Sequence, residues 1–140
     1  MADEVAHSLA DMLATLSPKL QDETYLFVTL AGGQLPDGAV QSAIGWFRET
    51  EGISLILPRD AALSLGCANG SPMRQITLQV YSSLDGVGLT AAVAGRLAEH
   101  GIACNMVAAF HHDHIFIPAD RAEEALALLQ ELQELQRDAR

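Results

Sequence analysis

Three stretches of this 140-residue chain carry residue types whose spacing could do chemistry. The first is Leu84-Asp85-Gly86-Val87-Gly88-Leu89, placed where a strand hands over to a helix. Backbone N–H groups lack partners at such a point and the helix dipole is positive, so a carboxylate or phosphate is welcome. Gly86 and Gly88 leave room for close approach. A plainer reading stands beside it: the glycines only supply positive φ for the turn, and Asp85 only caps the helix.

The second stretch is His111-His112-Asp113-His114, the most metal-like cluster in the chain. Extended backbone puts His112 and His114 on one side, His111 and Asp113 on the other. A tight turn splays all four, and no other Cys or His is near in sequence to complete a tetrahedral site. The favoured reading is a polar hairpin turn without metal, with a site shared across a dimer interface as the alternative. The third stretch, Ser82-Ser83, offers hydroxyls but no nucleophile elbow, and no Ser-His-Asp set follows from the spacing. Cys104 beside Asn105 lacks the electropositive setting that would lower its pKa. The chain is therefore read as a non-enzyme with no catalytic residue and no cofactor.

The elements that must position these residues follow from periodicity and punctuation. Val5, Leu9, Met12, Leu13 and Leu16 recur at helical spacing, and Ser17-Pro18 ends that helix. Tyr25 to Leu30 is an apolar, β-branched and aromatic run, hence a strand. Gly32-Gly33 through Asp37-Gly38 is a loop, and Val40 to Arg48 is expected as a strand. Glu49-Thr50-Glu51-Gly52 turns it back into Ile53 to Leu57. Pro58-Arg59-Asp60 opens a short helix, Ala61 to Leu65, that Gly66 ends.

Ala68 to Pro72 is a small polar connection and marks the boundary between an N-terminal half, 1–70, and a C-terminal half, 71–140. Ile76, Leu78 and Val80 alternate with polar residues in a half-buried strand. A helix from Leu89 to His100 ends at Gly101. Ile102 to Phe110 reads as a largely apolar, buried strand holding Cys104, and Ile115 to Ile117 as its hairpin partner. Asp120 with Glu123 suggests a capping box for a last helix, with Ala125, Leu128, Leu129, Leu132 and Leu135 inward and Glu131 and Glu134 outward.

Charge narrows the partners. Eight Lys and Arg against 18 acids give a net charge of -10 and a pI near 4.7. Such a surface repels phosphate backbones and anionic lipid, so neither nucleic acid nor membrane is an expected partner. Trp46 and Phe47 then read as core or interface anchors rather than a stacking platform. Arg48 is a candidate for a ligand carboxylate, with Glu49 or Glu51 as the plainer partner. The Ala2-Asp3-Glu4 start is unlike a signal peptide, and isolated Cys67 and Cys104 fit free thiols in a reducing cytoplasm.

The chain also repeats. Ile53-Ser-Leu-Ile-Leu-Pro58-Arg-Asp60 matches His114-Ile-Phe-Ile-Pro118-Ala-Asp120: return strand, proline, aspartate, helix. Two ferredoxin-like βαββα units are the economical reading, the first with a loop where the second has a full helix. The strand–turn–helix around Gly86 and Gly88, the His100-Gly101-Ile102 helix end and the Asn105-bearing strand resemble the ACT domain. The segments FRETEGISLILPRD (47–60), PMRQITL (72–78), SSLDGVGLTAAVAGRLAEHGI (82–102) and HHDHIFIP (111–118) resemble a bacterial family of small tandem-ACT proteins without a catalytic domain. The resemblance runs over roughly residues 5 to 135, with Gln75 standing where an aromatic residue is expected.

That resemblance implies an α+β fold of tandem ACT-like units, antiparallel sheets with helices packed on one face. It implies a non-catalytic regulatory or sensor protein binding a small amino acid or related carboxylate at an ACT–ACT interface. Carried over residue by residue, the ligand contacts are Asp85, Gly86, Val87, Gly88 and Leu89 of the turn and Asn105, Met106 and Val107 of the next strand. A ligand carboxylate would accept N–H bonds at the helix start, while Asn105 could bind its ammonium or carboxylate. A homodimer is expected, because the edge strands of such small sheets need covering. The alternatives are an interaction module without ligand and a metal-binding protein using the His111–His114 turn. Because only the second half has the complete strand–turn–helix, the expected binder is asymmetric, with the Gly86–Gly88 turn as its better site.

Overall fold

A computed structural model describes residues 8–31, 35–81 and 84–139. The expectations for Val5, Gly32-Gly33 and Ser82-Ser83 lie outside these residues. In chain order the elements are α1 (Leu9–Ala14), β1 (Pro18–Leu30), α2 (Ala39–Ser42), β2 (Gly45–Glu49), β3 (Gly52–Pro58), α3 (Arg59–Ser64), β4 (Met73–Leu78), α4 (Leu89–Ala98), β5 (Asn105–Ala108), β6 (Asp113–Pro118) and α5 (Ala122–Asp138). The chain is α+β and divides into two compact units that do not follow its linear halves. One takes residues up to Gln21 together with those from Arg74 onward; the other is Asp22–Met73. Strand β1 has residues in both.

In the Asp22–Met73 unit the strands lie β2-β3-β1, antiparallel, with Trp46 opposite Leu55 and Phe27 opposite Ile56. Leu26, Val28, Leu55 and Leu57 alternate onto one face and meet Ala39 of α2 and Ala62 of α3. The expected strand from Val40 is instead the single turn α2 followed by β2. Gly38 takes φ +82 ahead of α2, and the Ala43 N–H bonds back to the Ala39 and Val40 carbonyls. The first half thus has a helical turn after its loop, though far shorter than α4. Trp46 and Phe47 are not core residues: they are 50% and 73% exposed on β2.

In the other unit the start of β1 is followed by β4, β6 and β5 in that order. Ile76, Leu78, Ile115 and Ile117 pack beneath α1, α4 and α5 through Met12, Leu16, Val93, Leu97, Leu128 and Leu129. The helices therefore share one face of the sheet. Helix α4 ends in a Schellman motif: Gly101 takes φ +68, and the Ile102 and Gly101 N–H groups bond to the Leu97 and Ala98 carbonyls. Arg96 of α4 pairs with Glu131 of α5 at 2.6 Å.

Four expectations in this unit are corrected. β5 is four residues long and sits at the sheet edge, mostly exposed, and Cys104 precedes it half-buried rather than within a buried strand. Strand β1 begins seven residues before Tyr25, at Pro18, through a polar segment that periodicity could not flag. Helix α5 takes Arg121 as its N-cap after a 3-10 turn over Ala119–Arg121, so the Asp120–Glu123 capping box does not form. Leu135 is exposed, and the buried residue of that turn is Gln133. The repeat holds locally: Pro58 and Pro118 both precede helical turns, with φ −53 at each and ψ 139 and 133.

Candidate functional site

The turn after β4 delivers the chain to α4 through Gly88, the N-cap residue, at φ +105. A β-carbon there would be strained by the backbone and would lie 3.0 Å from Leu9 Cδ2, so α1 closes against this turn. Gly88, not Asp85, is the cap. The first helical bond runs from the Ala92 N–H to the Gly88 carbonyl at 2.9 Å. The N–H groups of the preceding first turn have no partner within the helix and mark its positive end.

A cavity of about 560 Å³ opens onto this helix start. Its walls are Gly86, Val87, Gly88, Leu89, Thr90, Ala91 and Ala94 from the turn and α4, with Met12 of α1, Leu84, Ala108, Ala109 and Asp113. All belong to one unit. Four of the turn residues carried by the resemblance, Gly86 to Leu89, line it; Asp85 is beside them in sequence but not in the wall. Asn105, Met106 and Val107 do not line it either, since β5 contributes only its last residue, Ala108. The Asn105 amide donates to the Phe116 carbonyl at 3.2 Å, and Met106 and Val107 point to opposite faces of the sheet, opposite Ile115 and His114.

Asp113 was legible only as part of the histidine cluster. Its place in the wall follows from topology: β6 lies between β4 and β5, so the β5–β6 turn returns beside the β4–α4 turn. Burial raises the Asp113 carboxyl above its ordinary value, against the opposing pull of His114 and His112. The cavity thus has a positive helix end, a carboxyl group, the Thr90 hydroxyl and otherwise small or apolar walls. It can hold a small molecule bearing both an anionic and a cationic group.

The histidines do not converge. His114 Nδ1 lies 3.0 Å from Gln75 Nε2 and 3.1 Å from Thr77 Oγ1, on the sheet face away from the helices. Gln21 Nε2 donates to the same Thr77 hydroxyl at 3.0 Å, which leaves that hydroxyl's proton for the imidazole. Gln75, the departure from the aromatic residue expected there, serves this network. Burial lowers the His114 pKa first, and His112 lowers it further. His112 Nδ1 is 3.2 Å from the Val80 carbonyl, while His111 stacks on Tyr81 at 5.7 Å. Among the described residues no group of three or more His, Cys, Asp and Glu is placed to hold a metal ion.

A second hollow of about 550 Å³ lies at the β2–β3 hairpin, lined by Leu35, Arg48, Glu49, Thr50, Glu51, Gly52 and Ile53. Arg48 forms no ion pair with Glu49 or Glu51; the Ser54 hydroxyl contacts Glu49 instead. Among the described residues no helix is long and apolar enough to cross a membrane.

Two family models described as ACT domain match residues 6–74 and 70–131. A Vibrio cholerae protein of unknown function, described as a possible transport protein, is 41% identical, with a TM-score of 0.79 over 89% of this chain and 95% of that one. An Agrobacterium tumefaciens protein is 19% identical with a TM-score of 0.70, covering 83% of this chain and 87% of its own. The ligand-free regulatory subunit of aspartate kinase from Thermus thermophilus is 11% identical with a TM-score of 0.61, over 84% and 97% of the two chains. The last two likenesses are of fold alone. No curated protein matches the sequence.

Proposed function

Because the chain belongs to the ACT domain family, as a tandem ACT protein, we propose that it is a non-catalytic regulatory protein that senses a small amino acid or related carboxylate. ACT domains are in general regulatory ligand-binding modules. The observation that carries the finer reading is the cavity at the start of α4, where a helix N-terminus and the Asp113 carboxyl line the same small space. The ligand carboxylate would sit on the N–H groups of the Gly86–Leu89 turn, with Asp85 next to it. The ammonium would sit on ionised Asp113, and a small side chain against Met12, Ala94 and Ala108. Its size is within the range of small-molecule sites. Asn105, Met106 and Val107 would touch only a ligand that extends back along β5 from Ala108. The protein would work as a cytoplasmic homodimer, with 1–70 and 71–140 as its two ACT-like repeats and the Gly86–Gly88 turn as the better of two unequal sites.

Melting temperature measured against the twenty amino acids tests this. One amino acid, or a chemically related few, should raise Tm by about 5 °C or more at a hundredfold excess over Kd. Asp113→Asn should erase that shift for zwitterions while leaving the free protein folded, and at neutral pH slightly more stable. The sign follows from burial: a carboxyl whose folded pKa is raised costs stability as pH climbs from its ordinary value through the folded one, in full above it, and the amide carries no such cost. No shift across the panel and common carboxylate metabolites would sink the sensor reading. The interaction module would then stand in its place, favoured by exposed Leu84, Val87 and Phe110.

A further inference from the structure

The two hairpins of the repeat align pair for pair. In the Asp22–Met73 unit Glu49 lies opposite Gly52 and Arg48 opposite Ile53, joined by the two-residue turn Thr50-Glu51. In the other unit the Ala109 N–H bonds to the His112 carbonyl and Ala108 lies opposite Asp113, joined by Phe110-His111. The next pairs, Phe47 with Ser54 and Val107 with His114, stand at the same step before Pro58 and Pro118. Arg48 therefore occupies the place of Ala108, and Ile53 the place of Asp113. Gly38 and Gly88, both at positive φ, open the helix that belongs to each unit.

The hollows follow the same correspondence. Ala108 and Asp113 line the cavity at the start of α4, while Arg48 and Ile53 line the hollow of about 550 Å³ at the β2–β3 hairpin. The charge on the hairpin wall is inverted between them. One carries a carboxyl on its second strand, the other a guanidinium on its first. Leu35 and Ile53 pack against the apolar core of their unit and give the second hollow its apolar part. Alternation turns Glu49 away from the face of Arg48 and Ile53, and the Ser54 hydroxyl contacts it there. Glu51 lines the hollow with Arg48, and among the described residues neither of them is in a salt bridge. A guanidinium holds a carboxylate through two parallel N–H bonds, and an acid beside it suits an ammonium. The volume is that of a small-molecule site.

We propose that the β2–β3 hollow is a second ligand site, for a small compound with one carboxylate, held by Arg48, and one ammonium group, held by Glu51. The ligand lies reversed relative to the first cavity, where its ammonium rather than its carboxylate meets the hairpin. A dicarboxylate sets its second charge against Glu51, and a diamine leaves Arg48 unpaired. The proposal rests on the sensor reading above and gives the lesser of its two unequal sites a place and a polarity.

Isotope-labelled protein, titrated with each of the twenty amino acids and followed by amide NMR spectra, tests it. At least one amino acid should shift the Arg48 Nε–H signal and the amides of Thr50, Glu51 and Gly52. Its carboxamide, which lacks the carboxylate, and its N-acetyl derivative, which lacks the ammonium, should not. Arg48→Gln should raise the Kd read at Thr50, Glu51 and Gly52 at least ~10-fold, and Arg48→Lys less, with the response of Gly86 to Leu89 unchanged. Asp113→Asn should do the reverse. Silence at the hairpin while Gly86 to Leu89 respond overturns the second site and leaves the sensor reading standing. A hairpin response that Arg48→Gln leaves unchanged does the same. A response confined to the hairpin supports the second site and overturns the first, and silence at both overturns both. If Arg48→Gln fails to fold, the carboxamide decides on the wild-type chain: hairpin shifts as large as those of the parent amino acid overturn the proposal.

Discussion

Asp113 and His114 are adjacent in sequence and serve opposite sides of the fold. Asp113 lines the cavity, while the His114 ring accepts from Gln75 and Thr77 on the far face of the sheet. A proton on His114 Nδ1 would face the Gln75 amide donor, so geometry and burial both disfavour the charged ring. The stability consequence has a definite sign. The His114 pKa is lowered in the folded chain from an ordinary 6.5, so its contribution is full above that value and is lost as pH falls through the lower folded value. Tm should therefore decline as buffer pH drops below about 6.5, and His114→Gln should remove part of that slope without lowering Tm at pH 8. An unchanged slope in the variant would locate the titration elsewhere. From the sequence, four polar residues at a turn were legible as a turn that splays its imidazoles. Their partners were not, because Gln75 and Thr77 of β4, and Val80 just after it, lie more than thirty residues away.

Between elements, the α1–β1 corner shows how a local signal can mislead. The leucine periodicity of α5 points Leu135 inward, yet the buried position is Gln133. Its amide donates from Nε2 to the Ala14 carbonyl at 3.1 Å and accepts at Oε1 from the Ser17 N–H at 3.0 Å. Ser17 itself sits at φ +50, a left-handed conformation that costs about 1 kcal/mol or more for a non-glycine residue. One amide thus holds both sides of a strained corner, and Arg137 Nε adds a second donor to Ala14 at 3.0 Å. Gln133→Leu should cost about 2–3 kcal/mol in urea unfolding, because it leaves the Ser17 N–H without its acceptor. A loss below about 0.5 kcal/mol would mean that water replaces the amide. The same corner fixes α1, whose Met12 lines the candidate cavity and whose Leu9 lies against Gly88.

For the molecule as a whole, the net charge of -10 opposes any self-association. Raising salt from about 20 to 200 mM shortens the Debye length from roughly 20 Å to under 10 Å. A homodimer with an apolar interface should therefore tighten with salt, several-fold in sedimentation equilibrium. Weakening with salt would point to an interface held by ion pairs.

The sequence by itself determined the punctuation and the repeat. Gly66 and Gly101 as helix ends, Pro58 and Pro118 ahead of helical turns, the β2–β3 hairpin and the ACT resemblance all rest on local backbone preference or on motifs in the sequence. It also marked Gly86–Leu89 as an anion-friendly helix start, which depends only on unpaired N–H groups in one turn. Tertiary structure decided what shares a space with that turn. Asp113 and Ala108 reach the cavity through strand order and Met12 through the packing of α1, and Asn105 is drawn instead to the Phe116 carbonyl. It also decided that β2 and β5 lie at edges, so residues that read as core or buried strand are exposed. Burial and neighbourhood in a sheet are set by pairings between distant segments, whose free energy is spread over many contacts and leaves little trace in any one window of sequence.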